Sequence, residues 1–182
     1  MILQAGAAIR DISPGRPMPL AGYPGVRRIS TGIHDPLLIS VLYLRRESAG
    51  VLLCSVELLM LNSDVVRNMR RKVAEAVGIP EACVLISCTH THSAPVSLRY
   101  LPFNGDVSMP APDPSYLRYV TERVVEAAVD AKQRLQPAAM AWTSGGARGV
   151  GGNRKTPNGP TDPEVGILAV RAAGKPLAVA TI

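Results

Sequence analysis

The chain has 182 residues, enough for one domain, with 47% hydrophobic residues to fill a core and 16 glycines and 16 prolines to punctuate loops. Aromatics at 4% argue against a stacking surface for nucleic-acid bases, and a net charge of +6 without a nucleic-acid motif reads as solvated basic faces, Arg27-Arg28, Arg45-Arg46 and Arg70-Arg71-Lys72 among them, with a phosphate or membrane-surface footprint as the alternative. No apolar run approaches the ~20 residues needed to cross a bilayer.

In chain order, residues 4–12 alternate loosely and predict a first strand that stops at Ser13-Pro14-Gly15. A long Pro- and Gly-rich loop runs from Pro14 to Pro36, of a length that compact domains reserve for function. Leu37 to Arg45 and Val51 to Val56 predict a hairpin around Glu47-Ser48-Ala49-Gly50. Asn62 or Ser63 is expected to cap a helix reaching about Val77, with Val65, Val66, Met69, Val73 and Val77 at helical spacing and Gly78-Ile79-Pro80 as its stop. The apolar run Ala82 to Cys88 predicts a buried strand. After a second loop, 97–113, Asp113 caps a helix with Pro114 in its first position, running to about Leu135. Pro137 is expected to end it. Strands are predicted at Ala138 to Ser144, Val165 to Arg171 and Leu177 to Ile182, with a third loop from Gly145 to Pro163. The fold class is α/β: a mixed sheet flanked by helices.

Cys54, Cys83 and Cys88 are odd in number and lie in apolar stretches, so buried free thiols of a reducing compartment are expected. The N-terminus lacks a basic region and a long apolar core, so no signal peptide is expected and the location is read as cytoplasmic.

The chemistry concentrates in Thr89-His90-Thr91-His92-Ser93, where a strand meets Ala94-Pro95 and two of the three histidines lie two residues apart. In extended backbone, side chains at i and i+2 share one face, so the two imidazoles can converge on a metal or a substrate atom. Two histidines satisfied by loop hydrogen bonds are the alternative. His34, before Asp35-Pro36, is a candidate ligand or substrate contact, or a turn histidine bonded locally. Glu57 closes a strand and is read as a solvated end or a support for a metal-binding group. Asn153-Arg154 sits in a Gly-rich loop, where an arginine fork can hold a carboxylate, phosphate or oxyanion. No Gly-x-Ser-x-Gly elbow and no P-loop is present.

Several blocks together carry a resemblance. Ala5-Gly6-Ala7-Ala8-Ile9-Arg10-Asp11-Ile12-Ser13-Pro14, Ala21-Gly22-Tyr23, Gly32-Ile33-His34-Asp35-Pro36-Leu37 and, most specifically, Thr89-His90-Thr91-His92-Ser93-Ala94-Pro95 resemble the neutral/alkaline ceramidase family, in the short form of bacterial and archaeal ceramidase-like proteins. Asn153-Arg154 and Asp162-Pro163-Glu164-Val165 follow in matching order, and Ala94 stands where the family usually has Gly.

The resemblance implies a zinc-dependent amidohydrolase that cleaves an N-acyl amide with a metal-bound water. His90 would be a zinc ligand, His92 a catalytic group at the reacting centre, Arg154 a partner of the substrate or transition-state oxygen, and His34 and Asn153 substrate contacts. It also implies that residues 1–182 are the N-terminal portion of a catalytic domain, inactive alone, because the family's further His, Glu and Tyr ligands lie downstream. The substrate would be a small-molecule amide or a lipid. The apolar end Leu177 to Ile182 then implies self-association or a separately supplied remaining portion. Rival readings are a non-catalytic assembly module on the same fold and a metal hydrolase of polar amides or esters.

Overall fold

The structure is a computed structural model that describes residues 2–99, 108, 110–172 and 175–181, the last five through their backbone only. Among these residues, seven strands and two α-helices follow in chain order. β1 (Gln4–Asp11), β2 (Leu38–Arg46) and β3 (Ala49–Val56) form an antiparallel meander. α1 (Ser63–Val77) then crosses back to β4 (Val84–Cys88), which pairs with β3 in parallel. α2 (Pro114–Gln133) precedes β5 (Gln136–Gly146), β6 (Glu164–Ala172) and β7 (Lys175–Thr181), again antiparallel. The sheet order is β4-β3-β2-β1-β5-β6-β7, so the sheet is mixed and flanked by helices, as the hydrophobic pattern predicts.

Alternation along the strands builds two cores. Ala8, Ile39, Val41, Tyr43, Leu52, Cys54 and Val56 point to one side, where Met69 and Val73 of α1 and Val120, Val124, Ala127 and Ala131 of α2 cover them. Ala5 and Leu42 point to the other side, beneath Leu168 and Val170 of β6. Among the described residues, the strand pairing that joins the two halves of the sheet is Gln4 with Pro137 and Ala5 with Gln136.

α2 starts where the sequence says it should. The Asp113 carboxylate accepts from the Ser115 and Tyr116 amides at 2.8 and 3.4 Å and from the Ser115 hydroxyl, and Pro114 occupies the first turn. Those hydrogen bonds, the Ser115 hydroxyl's first, hold the carboxyl below its ordinary range. A depressed folded-state value means that the cap stabilises fully above the unfolded carboxylate value and is lost as pH falls through the folded one. The helix end is therefore expected to loosen in acid below about pH 4. Comparing urea midpoints against pH for the parent and Asp113→Ala should show curves that differ at neutral pH and converge in acid; parallel curves would refute the cap's role.

Other boundaries differ from expectation for local reasons. Asn62 sits at the start of α1 but makes no side-chain cap; its Oδ1 instead accepts the Arg99 amide at 2.8 Å. A single 3-10 turn, Glu81–Cys83, takes up the first residues of the predicted fourth strand. Pro137 lies within β5, opposite Gln4, rather than closing a helix that has already ended at Gln133. All three cysteines are free, but only Cys54 is fully buried, which pushes its thiol up to about 12; Cys83 and Cys88 are half-buried, contrary to expectation. No helix among the described residues is long and apolar enough to cross a membrane.

Candidate active site beyond strand β4

The backbone does not stop pairing where β4 ends. The Thr89 amide donates to the Val56 carbonyl and the His90 amide to the Leu58 carbonyl, both at 3.1 Å, so residues 89 and 90 are held beside the exit of β3. Further on, Ala94 to Leu98 are buried. The Ser97 hydroxyl donates to the Met60 carbonyl at 2.7 Å, and Val96 and Leu98 pack with Ala21 and Leu59. The segment that carries the two histidines is thus fixed at both ends.

Between those anchors His90 adopts φ +62°, a left-handed conformation that costs a non-glycine residue roughly 1–2 kcal/mol. The imidazoles therefore do not converge by the extended alternation that the spacing predicts: the backbone turns at His90 instead. The rings still come together, with centroids 5.3 Å apart and planes at 65°. His90 Nδ1 lies 3.1 Å from the Leu59 carbonyl. A carbonyl only accepts, so Nδ1 carries the proton and Nε2 keeps its lone pair for a metal or a proton. This is how a ligating histidine is oriented by the group behind it.

His92 is seated differently. Its ring meets Tyr23 edge-on, with centroids 5.0 Å apart. It also lies on Gly22, whose φ is +106° and where a Cβ would come within 2.4 Å of the His92 Cγ and Nδ1. Only a glycine lets the backbone come that close. Arg28 stacks on Tyr23, its guanidinium carbon 4.4 Å from the ring centroid, and donates to the carbonyls of Ala21 and His92. Arg28 belongs to a basic pair read from sequence as solvated; it is half-buried and bonded here. Charge alone gave no signal for that, because it depends on the path of the loop from Pro14 to Pro36.

Thr89, Thr91 and Ser93 line a groove of about 790 Å³ together with His34, Glu57 and Arg16; neither His90 nor His92 contributes to its wall. His34 stands at the rim, its side chain 97% exposed and its Nδ1 2.7 Å from the Asp35 carboxylate. Glu57 is more than a solvated strand end: its Oε2 accepts the Leu38 amide at 2.8 Å while its own amide donates to the Leu38 carbonyl at 3.0 Å. That pair locks β2 to β3 beneath the groove.

Asn153 folds its own loop, accepting from the Lys155 and Thr156 amides at 3.0 Å each and donating to the Pro160 carbonyl at 3.2 Å. Arg154 beside it is exposed and makes no hydrogen bond or ion pair among the described residues. Thus the structure joins His90 to His92, places His34 on the groove side, and holds Asn153 and Arg154 on the separate β5–β6 loop.

Among the described residues no three His, Cys, Asp or Glu side chains converge as a metal site would need. A catalytic zinc takes three protein ligands. The histidine pair supplies at most two donors, so these residues do not by themselves complete such a site.

An α/β mixed sheet with two imidazoles beyond a parallel strand defines the class of fold. No family model and no curated protein matches the chain at a significant level. Solved structures do match. A ceramidase in complex with C2 superposes with a TM-score of 0.85 at 20% identity, and the neutral ceramidase of Pseudomonas aeruginosa with 0.82 at 21%. Each alignment covers 100% of this chain and 31% of the other. The chain has the fold of a part of neutral ceramidase and spans about a third of the length of those enzymes.

Proposed function

We propose that this chain is the N-terminal portion of the catalytic domain of a zinc-dependent amidohydrolase of the neutral-ceramidase type. The observation that carries the reading is His90: a strained backbone, a proton fixed on Nδ1 by the Leu59 carbonyl, and an Nε2 free to bind. The shared fold supports it. Zinc held there would supply Lewis acidity towards an amide carbonyl. The remaining ligands would come from outside the described residues.

In this reading His92 is a catalytic group beside the metal ligand, positioned by Gly22 and Tyr23. The groove offers an N-acyl amide a wall of hydroxyls at Thr89, Thr91 and Ser93 with apolar patches at Leu20 and Ile29. His34 at its rim is the proposed substrate contact, and Asn153 orders the loop from which Arg154 would reach a substrate oxygen. A lipid amide and a small polar amide both fit that mixed lining.

Further polypeptide is proposed to pack on this chain, whether another copy or the rest of such a catalytic domain. Beyond Gln136 and Pro137, β5 pairs among the described residues with β6 alone, and Met140 and Trp142 on it are 52% and 59% exposed. An uncharged, apolar strand edge of that kind invites pairing. The proposal made from sequence for Leu177 to Ile182 concerns side chains outside the described residues.

Zinc uptake tests the metal assignment. After dialysis against micromolar zinc, the parent chain is expected to retain some metal and a folded His90→Ala variant none, while His34→Ala retains as much as the parent. Equal zinc content in the parent and a folded His90→Ala would overturn the assignment.

A further inference from the structure

We infer that Arg28 is the positioning residue of the His90–His92 segment, the side chain that ties the long loop before β2 to the backbone on which the two imidazoles are mounted. Four observations converge on it. Its Nη2 donates to the Ala21 carbonyl and, at 2.7 Å, to the His92 carbonyl, two main-chain oxygens far apart in sequence. Its guanidinium lies over the Tyr23 ring, and that ring abuts the edge of His92. Its own carbonyl accepts the Leu20 amide at 3.0 Å, closing the loop on itself. Its Nε is buried, with no hydrogen-bond partner among the described residues.

A freely rotating arginine would turn its Nε towards water. It stays buried because the stack on Tyr23 and the two carbonyls together fix the plane of the guanidinium. The consequences reach the histidines directly. With the His92 carbonyl held, the peptide between His92 and Ser93 cannot rotate, and the left-handed turn at His90 is confined between this bond and the Leu58 carbonyl. The Ala21 amide donates to the Ala94 carbonyl at 3.0 Å and the Val96 amide to the Pro19 carbonyl at 2.9 Å, so the same loop is stitched to the chain on the far side of His92. Gly22 leaves no gap between that loop and the His92 ring. Arg28 therefore acts through Ala21, Tyr23 and His92 rather than on a substrate.

A lysine cannot reproduce this. Its point charge reaches one carbonyl, but it has no plane to lie on the Tyr23 ring while also reaching the second. The role thus belongs to the guanidinium and not to positive charge at that place.

The test is NMR on the parent and on Arg28→Gln and Arg28→Lys. The parent is expected to show a Tyr23–His92 ring contact and slow exchange at the Ala21 and Val96 amides. Arg28→Gln should lose the contact and exchange at those two amides about tenfold faster or more, with the amides of α2 unchanged, because only a local opening is made easier. If Arg28→Gln fails to fold, Arg28→Lys carries the decision: loss of the Tyr23–His92 contact is expected there too. An undisturbed ring contact and unchanged exchange in either folded variant would overturn the assignment. None of these readouts involves a metal, so they can fail while the zinc reading stands, and the zinc reading can fail with them intact.

Discussion

Gly6→Ala is expected to destabilise the domain by about 3 kcal/mol or more, a large share of the roughly 5–15 kcal/mol that holds a domain of this kind together. A Cβ at Gly6 would fall 1.9 Å from the Ala131 carbonyl oxygen and 3.0 Å from the carbonyl carbons of Ala131 and Arg134. These are backbone atoms at the end of α2, so no side chain can swing aside. α2 lies that close to β1 because the residues facing the sheet are small: Ala127, Ala128 and Ala131 are all 0% exposed. Making room for one methyl would lift the helix off Val41, Ile39 and the rest of its core, exposing apolar area over its whole length. Gly15→Ala and Gly32→Ala are the controls, since nothing lies within 4 Å of a Cβ at either, and their effect should stay within about 0.5 kcal/mol. Urea unfolding gives the measurement; a Gly6→Ala midpoint equal to that of Gly15→Ala would show that the helix yields.

Gly6 also marks where sequence reading stops being sufficient. The strand through Gln4–Asp11 was legible from its alternation, and α2 from Asp113, Pro114 and the alanine-rich face, because each signal is local. That the two touch through Gly6 is a tertiary fact that no period records. The same division runs through the candidate site. His90 and His92 stood out by type and spacing, and their rings do approach, yet the backbone achieves it with a turn at His90 rather than with extended alternation. Arg28 looked like half of an exposed basic pair, and only the course of the Pro14–Pro36 loop brings it to His92. Asn62 looked like a helix cap because it sits where caps sit; the Arg99 amide, distant in sequence, takes its side chain instead. His34 and Arg154 were singled out by residue type, and the fold sets them on the groove rim and on the β5–β6 loop rather than beside the histidine pair.

This chain by itself is expected to bind zinc weakly and to show no amidase activity. A hydrolytic zinc needs three protein ligands and an open position, and each ligand must be deprotonated and oriented. Here one imidazole is oriented for ligation by the Leu59 carbonyl, a second lies 5.3 Å away between ring centroids, and no third His, Cys, Asp or Glu joins them among the described residues. A metal held by one or two donors keeps most of its coordination in water and has no fixed direction towards a substrate in the neighbouring groove, so neither tight binding nor productive geometry follows. Hydrolysis of a short-chain N-acyl sphingosine by the purified chain should therefore be indistinguishable from buffer with added zinc, and should appear when the chain is joined to the remaining segments of a ceramidase-type domain. Robust turnover by the chain alone, abolished by a chelator and by His90→Ala, would mean that it carries a complete metal site, and the proposal that the ligand set is shared with other segments would have to be abandoned.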